Sequence, residues 1–502
     1  MNALPRRHFL ATTAGALAGL GNLDFVSGLP RVTAAEADVD PKMVRFRPEM
    51  EPLVKLLAET PRERLLEEVA ERIKGGVTYQ QLLAAVFLAG VRDVQPRPVG
   101  FKFHAVLVIN SAHLAAQAAR DNDRWLPLFW ALDQYKSSQA ANVKEGNWRL
   151  PPVEESKVPP SHKARAAFIE AMEAWDPAAA DAAIAGYSRT AGANDMFELF
   201  AKFGARDFRH IGHKAIYVAN SWRALNTIGW EHAEPILRSL TYAIMAHDGE
   251  NPSKRDAAED RPGRRNKELA AKIRGEWLAG APDDAAVTDM LATLRQANAD
   301  TAADKVVELL NRGIAPQSIW DAVFAGANEL LMRAPGIRSL HAVTTTNALH
   351  YAWKTSGNDE TRRWLLLQNA SFIPLFRGDV GKGVEIDKFD PVAPQASGEQ
   401  ALDEIFADVS KDRNAAAAKA LSLLQSTGNA RGFSDAARRL IYLKGTDSHD
   451  YKFSSASLED YAHVSPKWRD RFLAASVFYF KGSGSPDNSL VKRTRAALGI
   501  TG

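Results

Sequence analysis

Twelve histidines occur in this chain, and six of them, His104, His113, His210, His213, His341 and His350, fall in segments that resemble one another. Imidazole is the only side chain that changes charge near neutral pH, and it is a common ligand for iron, copper, manganese and zinc. With no cysteine present, thiolate zinc sites, iron-sulfur clusters, disulfides and cysteine nucleophiles are excluded, so histidine and carboxylate carry any metal chemistry. At 100° per residue the nine-residue step from His104 to His113 puts them on opposite faces of a straight helix. Asn110 with His113, Asn347 with His350, and His210 with His213 are three apart and share a face, and Tyr217 continues the His213 stripe. The residues that can meet in one cavity are therefore His104, His213 and His341, with Lys214 and Tyr217 as further catalytic candidates. A metal would take His104, His210, His213 and His341, and Asp93, Asp207, Glu231 and Asp321 are nearby carboxylates. The alternative is packing, with each imidazole bonding a backbone carbonyl. His449, between Asp447 and Asp450, has the setting of a general base or of a supporting group that orients another residue.

The spacing of these residues follows from an apparent duplication. A constant offset of 237 superimposes Gly76 on Gly313, Ala85-Val86-Phe87 on Ala322-Val323-Phe324, His104-Ala105-Val106 on His341-Ala342-Val343, Asn110 on Asn347 and His113 on His350. Two inserted residues later, Arg124-Trp125 meets Arg363-Trp364. A weaker third copy aligns Asn220-Ser221 with Asn110-Ser111, which puts Lys214 in the place of His104 and Arg223 in that of His113.

The elements are helical. Thr60-Pro61-Arg62-Glu63 and Thr78 with Gln81 have capping-box spacing, and the run Leu82, Leu83, Val86, Phe87 is apolar around most of a helix, as a buried helix is. Strand-like alternation is scarce. Breaks rich in proline and charge at 143–163, 247–265 and 377–399 read as connecting loops. The basic run Arg261, Arg264, Arg265, Lys267, interleaved with acids, reads as a solvated loop. These features predict an all-α helical repeat array with two strong copies and one weak copy. The units are residues 38–142, 164–250, 266–376 and a C-terminal segment 400–502 packed across the array.

At the start, Arg6-Arg7-His8-Phe9-Leu10, the Ala/Gly-rich run Ala11 to Gly21 and the small-x-small site Ala35-Glu36-Ala37 resemble a twin-arginine export signal over residues 1–37. That resemblance implies the twin-arginine export machinery as a partner, a periplasmic or extracellular destination, and a chain that folds before export, often around a cofactor. The apolar run is too short to span a bilayer, and no later segment does so. The balance of 63 Lys+Arg against 60 Asp+Glu leaves a formal charge of +3, and no large basic excess points to nucleic acid.

The stretch Ile337-Arg338-Ser339-Leu340-His341-Ala342-Val343-Thr344, continued at Ala348-Leu349, resembles the His-Ala-Val-Thr helix of the questin oxidase-like family. The segment Gly229-Trp230 to Leu240, with Pro235 and Leu237, is similar to another stretch of that family. The resemblance implies a helical fold and oxygenase activity on aromatic polyketides, with His341 the one residue whose role carries over. The expectation is an exported oxidoreductase or oxygenase whose histidine-lined cavity binds a metal or acts on a small organic substrate. The competing expectation is a non-catalytic helical-repeat protein of the cell envelope.

Overall fold

The computed structural model describes residues 40–96, 101–245 and 251–500; the export-signal region 1–37 lies outside them. Among the described residues the protein is all-α, with only one isolated β-bridge, Ala281 to Ile314. Four helices form its centre: α1 (Ile109–Gln117, preceded by a short helical turn, His104–Leu107), α2 (His213–Ile228), α3 (Ile337–Thr355) and α4 (Ser448–Asp460). Each packs on the next, and α4 returns to α1, so the four close into a ring. Helix Tyr79–Asp93 covers α1 and α2, Ala233–Ile244 covers α2, Pro316–Arg333 and Asp359–Arg377 cover α3, and Ala430–Lys444 covers α4. One continuous apolar core runs through the chain from Val44 to Val491.

Because the central helices are buried over most of their length, they have little polar outer face. Their polar residues point inward or bond across the ring. Asn220 Nδ2 donates to the Leu107 carbonyl at 3.0 Å, joining α2 to α1. Arg223 makes a two-pronged pair with Glu459 at 2.7 and 2.8 Å, and Asn347 Nδ2 donates to Glu459 and Asp460 at 3.0 and 2.8 Å, tying α2 and α3 to α4. Ser455 Oγ donates to Ser111 Oγ at 2.8 Å and closes the ring. A buried polar group left unpaired is costly, so these bonds fix how the helices face one another.

Local signals explain where the helices begin. Thr78 and Gln81 form the expected capping box, as do Asp447 and Asp450 at the start of α4. Thr60 departs from expectation: it terminates the helix before, and Pro61 flanks helix Arg62–Lys74 without a side-chain cap. The basic run forms helix Arg261–Ala270, contrary to the loop reading, because Pro262 lies in the first turn where its missing N–H costs nothing. In the C-terminal segment, helix α4 packs on both α1 and α3 and so becomes a member of the central ring.

The start of α2 is the most constrained backbone in the core. His210 and Ile211 have φ of 54° and 46°, and Gly212 has φ of 79°. A left-handed β-branched residue is rare, and here Thr345 of α3 packs against the turn. A Cβ at position 212 would lie 1.9 Å from Thr345 Oγ1. Gly212→Ala is therefore expected to destabilise the protein by more than the roughly 1–2 kcal/mol of a left-handed alanine alone. Adding Thr345→Ala should restore the part due to collision, as read by thermal unfolding.

Candidate metal centre

The ring positions four histidines at one level: His104 in the turn before α1, His213 at the start of α2, His341 in the second turn of α3 and His449 in the first turn of α4. One ring nitrogen from each falls within a group whose members all lie within 4.8 Å of one another. His213 Nε2 stands 3.2 Å from His104 Nε2 and 3.0 Å from His341 Nε2. Nitrogen ligands about 2.1 Å from a shared ion stand about 3.0 to 4.2 Å apart, so these separations suit a common ion.

The outward nitrogens decide what the inward ones present. His213 Nδ1 lies 2.6 Å from the His210 carbonyl, and His341 Nδ1 lies 2.6 Å from the Ile337 carbonyl. A carbonyl only accepts, so each Nδ1 carries the proton and donates. His449 Nδ1 likewise faces the Asp447 carboxylate at 2.5 Å. Burial, reinforced by the neighbouring Lys452 cation, holds the His213 and His341 pKa values well below the ordinary imidazole range, so both rings are neutral. Their Nε2 atoms are consequently bare lone pairs facing each other at 3.0 Å. The His449 Nε2 is also buried and has no hydrogen-bond partner. A cation among these nitrogens would convert the repulsion into coordination, and an acceptor holding the far N–H of a ring, as at His213, His341 and His449, is the usual support of a metal-bound histidine.

The two sequence alternatives are combined here: in His213 and His341 one nitrogen bonds a carbonyl, as packing predicts, while the other is aimed inward. The remaining expected residues lie elsewhere. His210 contributes its carbonyl to His213 and does not join the four-histidine group, because the left-handed turn separates it from α2. Lys214 is buried against Asp207, with which it forms an ion pair, and is not in the place of His104; the turn sets His213 there instead. Tyr217 donates to Ser239 at 3.3 Å and packs edge-on against Phe103. Asp93 accepts from Tyr135, and Asp321 accepts from Gln317 and the Ser465 N–H, so neither carboxylate reaches the centre. His113 is beside Tyr79, 3.2 Å from its hydroxyl, and His350 packs among Trp320, Phe324, Trp353 and His463.

His449 is the member that the repeats do not reveal, since it has no partner at the 237-residue offset. Its readable signal is Asp447, which caps α4 and orients the ring together, and whose own pKa is lowered to about 2 chiefly by that hydrogen bond. Asp450, the other expected flanking carboxylate, instead completes the cap and pairs with Lys481 at 2.9 Å. Lys452 follows His449 by three residues; it is fully buried, its Nζ has no hydrogen-bond partner, and burial lowers its pKa to about 7.

No protein-family model matches this chain, and comparisons with curated proteins and with solved structures return no match.

Two outcomes are expected from this geometry. Asp447→Asn should weaken metal binding about 10- to 100-fold while leaving the helical circular dichroism intact, since only the support of His449 is lost. In metal-free protein, His213 and His341 stay neutral while their unfolded counterparts protonate near pH 6.5. The unfolded state then binds more protons, so stability should fall as pH drops below about 6.5, read from thermal unfolding between pH 7.5 and 5.

Proposed function

We propose that this protein is a metal-dependent oxidoreductase whose centre is a first-row transition-metal ion held by His104, His213, His341 and His449. The observation that carries the reading is the pair of bare Nε2 atoms of His213 and His341 at 3.0 Å, with the partnerless, buried His449 Nε2 beside them. Four neutral nitrogens leave the full positive charge on the ion and suit iron or copper as well as zinc. The ion would supply Lewis acidity and, for iron or copper, electron transfer.

The protein's part is to hold the His213, His341 and His449 rings by their outer nitrogens, to exclude bulk water, and to keep the centre free of carboxylate ligands. The resemblance of the α3 segment around His341 to the questin oxidase-like family supports an oxygenase among the possible oxidoreductases. The resemblance of residues 1–37 to a twin-arginine signal supports export after folding, and no helix among the described residues is long and apolar enough to cross a membrane.

Elemental analysis of protein purified in its native form tests this reading. One iron or copper ion per chain is expected, lost in His341→Ala while the fold is retained. Zinc alone would keep the metal centre but remove the redox assignment. Protein that neither carries nor takes up metal at the centre would instead point to a helical binding protein.

A further inference from the structure

A cavity of about 580 Å³ opens beside α1, α2 and α4. Its mouth includes the exposed residues Gln117, Ala118 and Asn226, and its inner wall includes Asn110, Ser111, Arg223, Ser455 and Glu459. The same five inner residues line a second, much narrower space of about 10 Å³, so the two spaces adjoin. That volume is near the minimum for a single water. The narrow space is also bounded by Ile216, Thr344 and Lys452, each three residues, or about one helical turn, beyond a histidine of the centre. The inner end of the cavity thus comes within about one helical turn of His213, His341 and His449, with Lys452 in its wall.

Lys452 is the informative residue. It is 2% exposed, lines this neck, and its Nζ has no hydrogen-bond partner. The nearby carboxylates are otherwise engaged, Asp447 with His449 and Glu459 with Arg223 and Asn347. A buried amine without a partner is costly unless something else meets it. Asn347 and Ser455 add polar groups to the neck, and Arg438 adds a cationic group to the wider cavity, where the charges of Arg223 and Glu459 offset each other. A dry packing core would be lined differently.

We infer that this passage is the entrance to the four-histidine centre and that Lys452 is its anion-holding residue. The ligand class is an organic anion whose body occupies the 580 Å³ cavity while a carboxylate or enolate oxygen enters the neck and accepts a hydrogen bond from Lys452 Nζ. Lys452 is a binding and positioning residue in this arrangement, and it ligates nothing itself. The inference rests on the metal-centre reading and adds the direction of access and the charge of the ligand.

The test uses cobalt(II)-loaded full-length protein, with azide as a small anionic probe and nitric oxide as a neutral one, both followed by visible absorption. Lys452→Met should retain one cobalt per chain and bind nitric oxide as the unmodified protein does, yet lose at least about tenfold in azide affinity, a change of about 1.4 kcal/mol. Ser455→Phe should slow azide association at least tenfold without changing the azide-free cobalt spectrum; Ser455→Val serves if the larger side chain prevents folding. Unchanged azide affinity in Lys452→Met, or equal losses for azide and nitric oxide, overturns the role of Lys452. Unchanged association rates in both Ser455 variants overturn the passage. Failure of the unmodified protein to take up cobalt refutes the metal centre itself, and is distinguishable from either result.

Discussion

Imidazole lone pairs that face one another in a buried space repel, and the surrounding structure does not let these turn away. The His210 and Ile337 carbonyls and the Asp447 carboxylate each hold the opposite nitrogen, so rotating a ring inside the core would break a hydrogen bond without supplying another. The left-handed turn before α2, the cap of α4 and the polar ties around the ring all serve this one arrangement. A protein interior ordinarily avoids such a grouping, and the positive charge proposed at its centre would relieve the repulsion.

The ring distributes the task among four stretches of chain far apart in sequence. Each provides one imidazole and, further along, a side chain that either bonds across the ring or lines the neck: Asn110 and Ser111 from α1, Asn220 and Arg223 from α2, Asn347 from α3, Ser455 and Glu459 from α4. The outer helices contribute apolar surface and enclosure.

Helix content was legible because capping residues and apolar runs are local properties: Thr78 with Gln81 is an example in which four residues suffice to place a helix start. His104 and His341 were legible because the offset pairs them along with their neighbours. His213 was named among the candidates, but its place relative to His104 was not readable, since the repeat alignment favoured Lys214 and only the turn at 210–212 shifts the register by one. His449 lacks any repeat partner, and its approach to the other three is a tertiary event that no local pattern encodes. The run at Arg261 was half legible: its charges do face solvent, but Pro262 in the first turn starts a helix where a loop was expected.

The position of α4 has a consequence for the order in which the centre is assembled. During synthesis the ribosome delivers His104, His213 and His341 well before His449 and Asp447, and α4 is the member that joins α3 back to α1. Until it docks, the other three imidazoles lack the helix that joins α3 back to α1. Docking of α4 encloses them and brings the fourth ring to the group in the same event. An ion held as proposed would thus reach its four-nitrogen coordination only once the ring has closed.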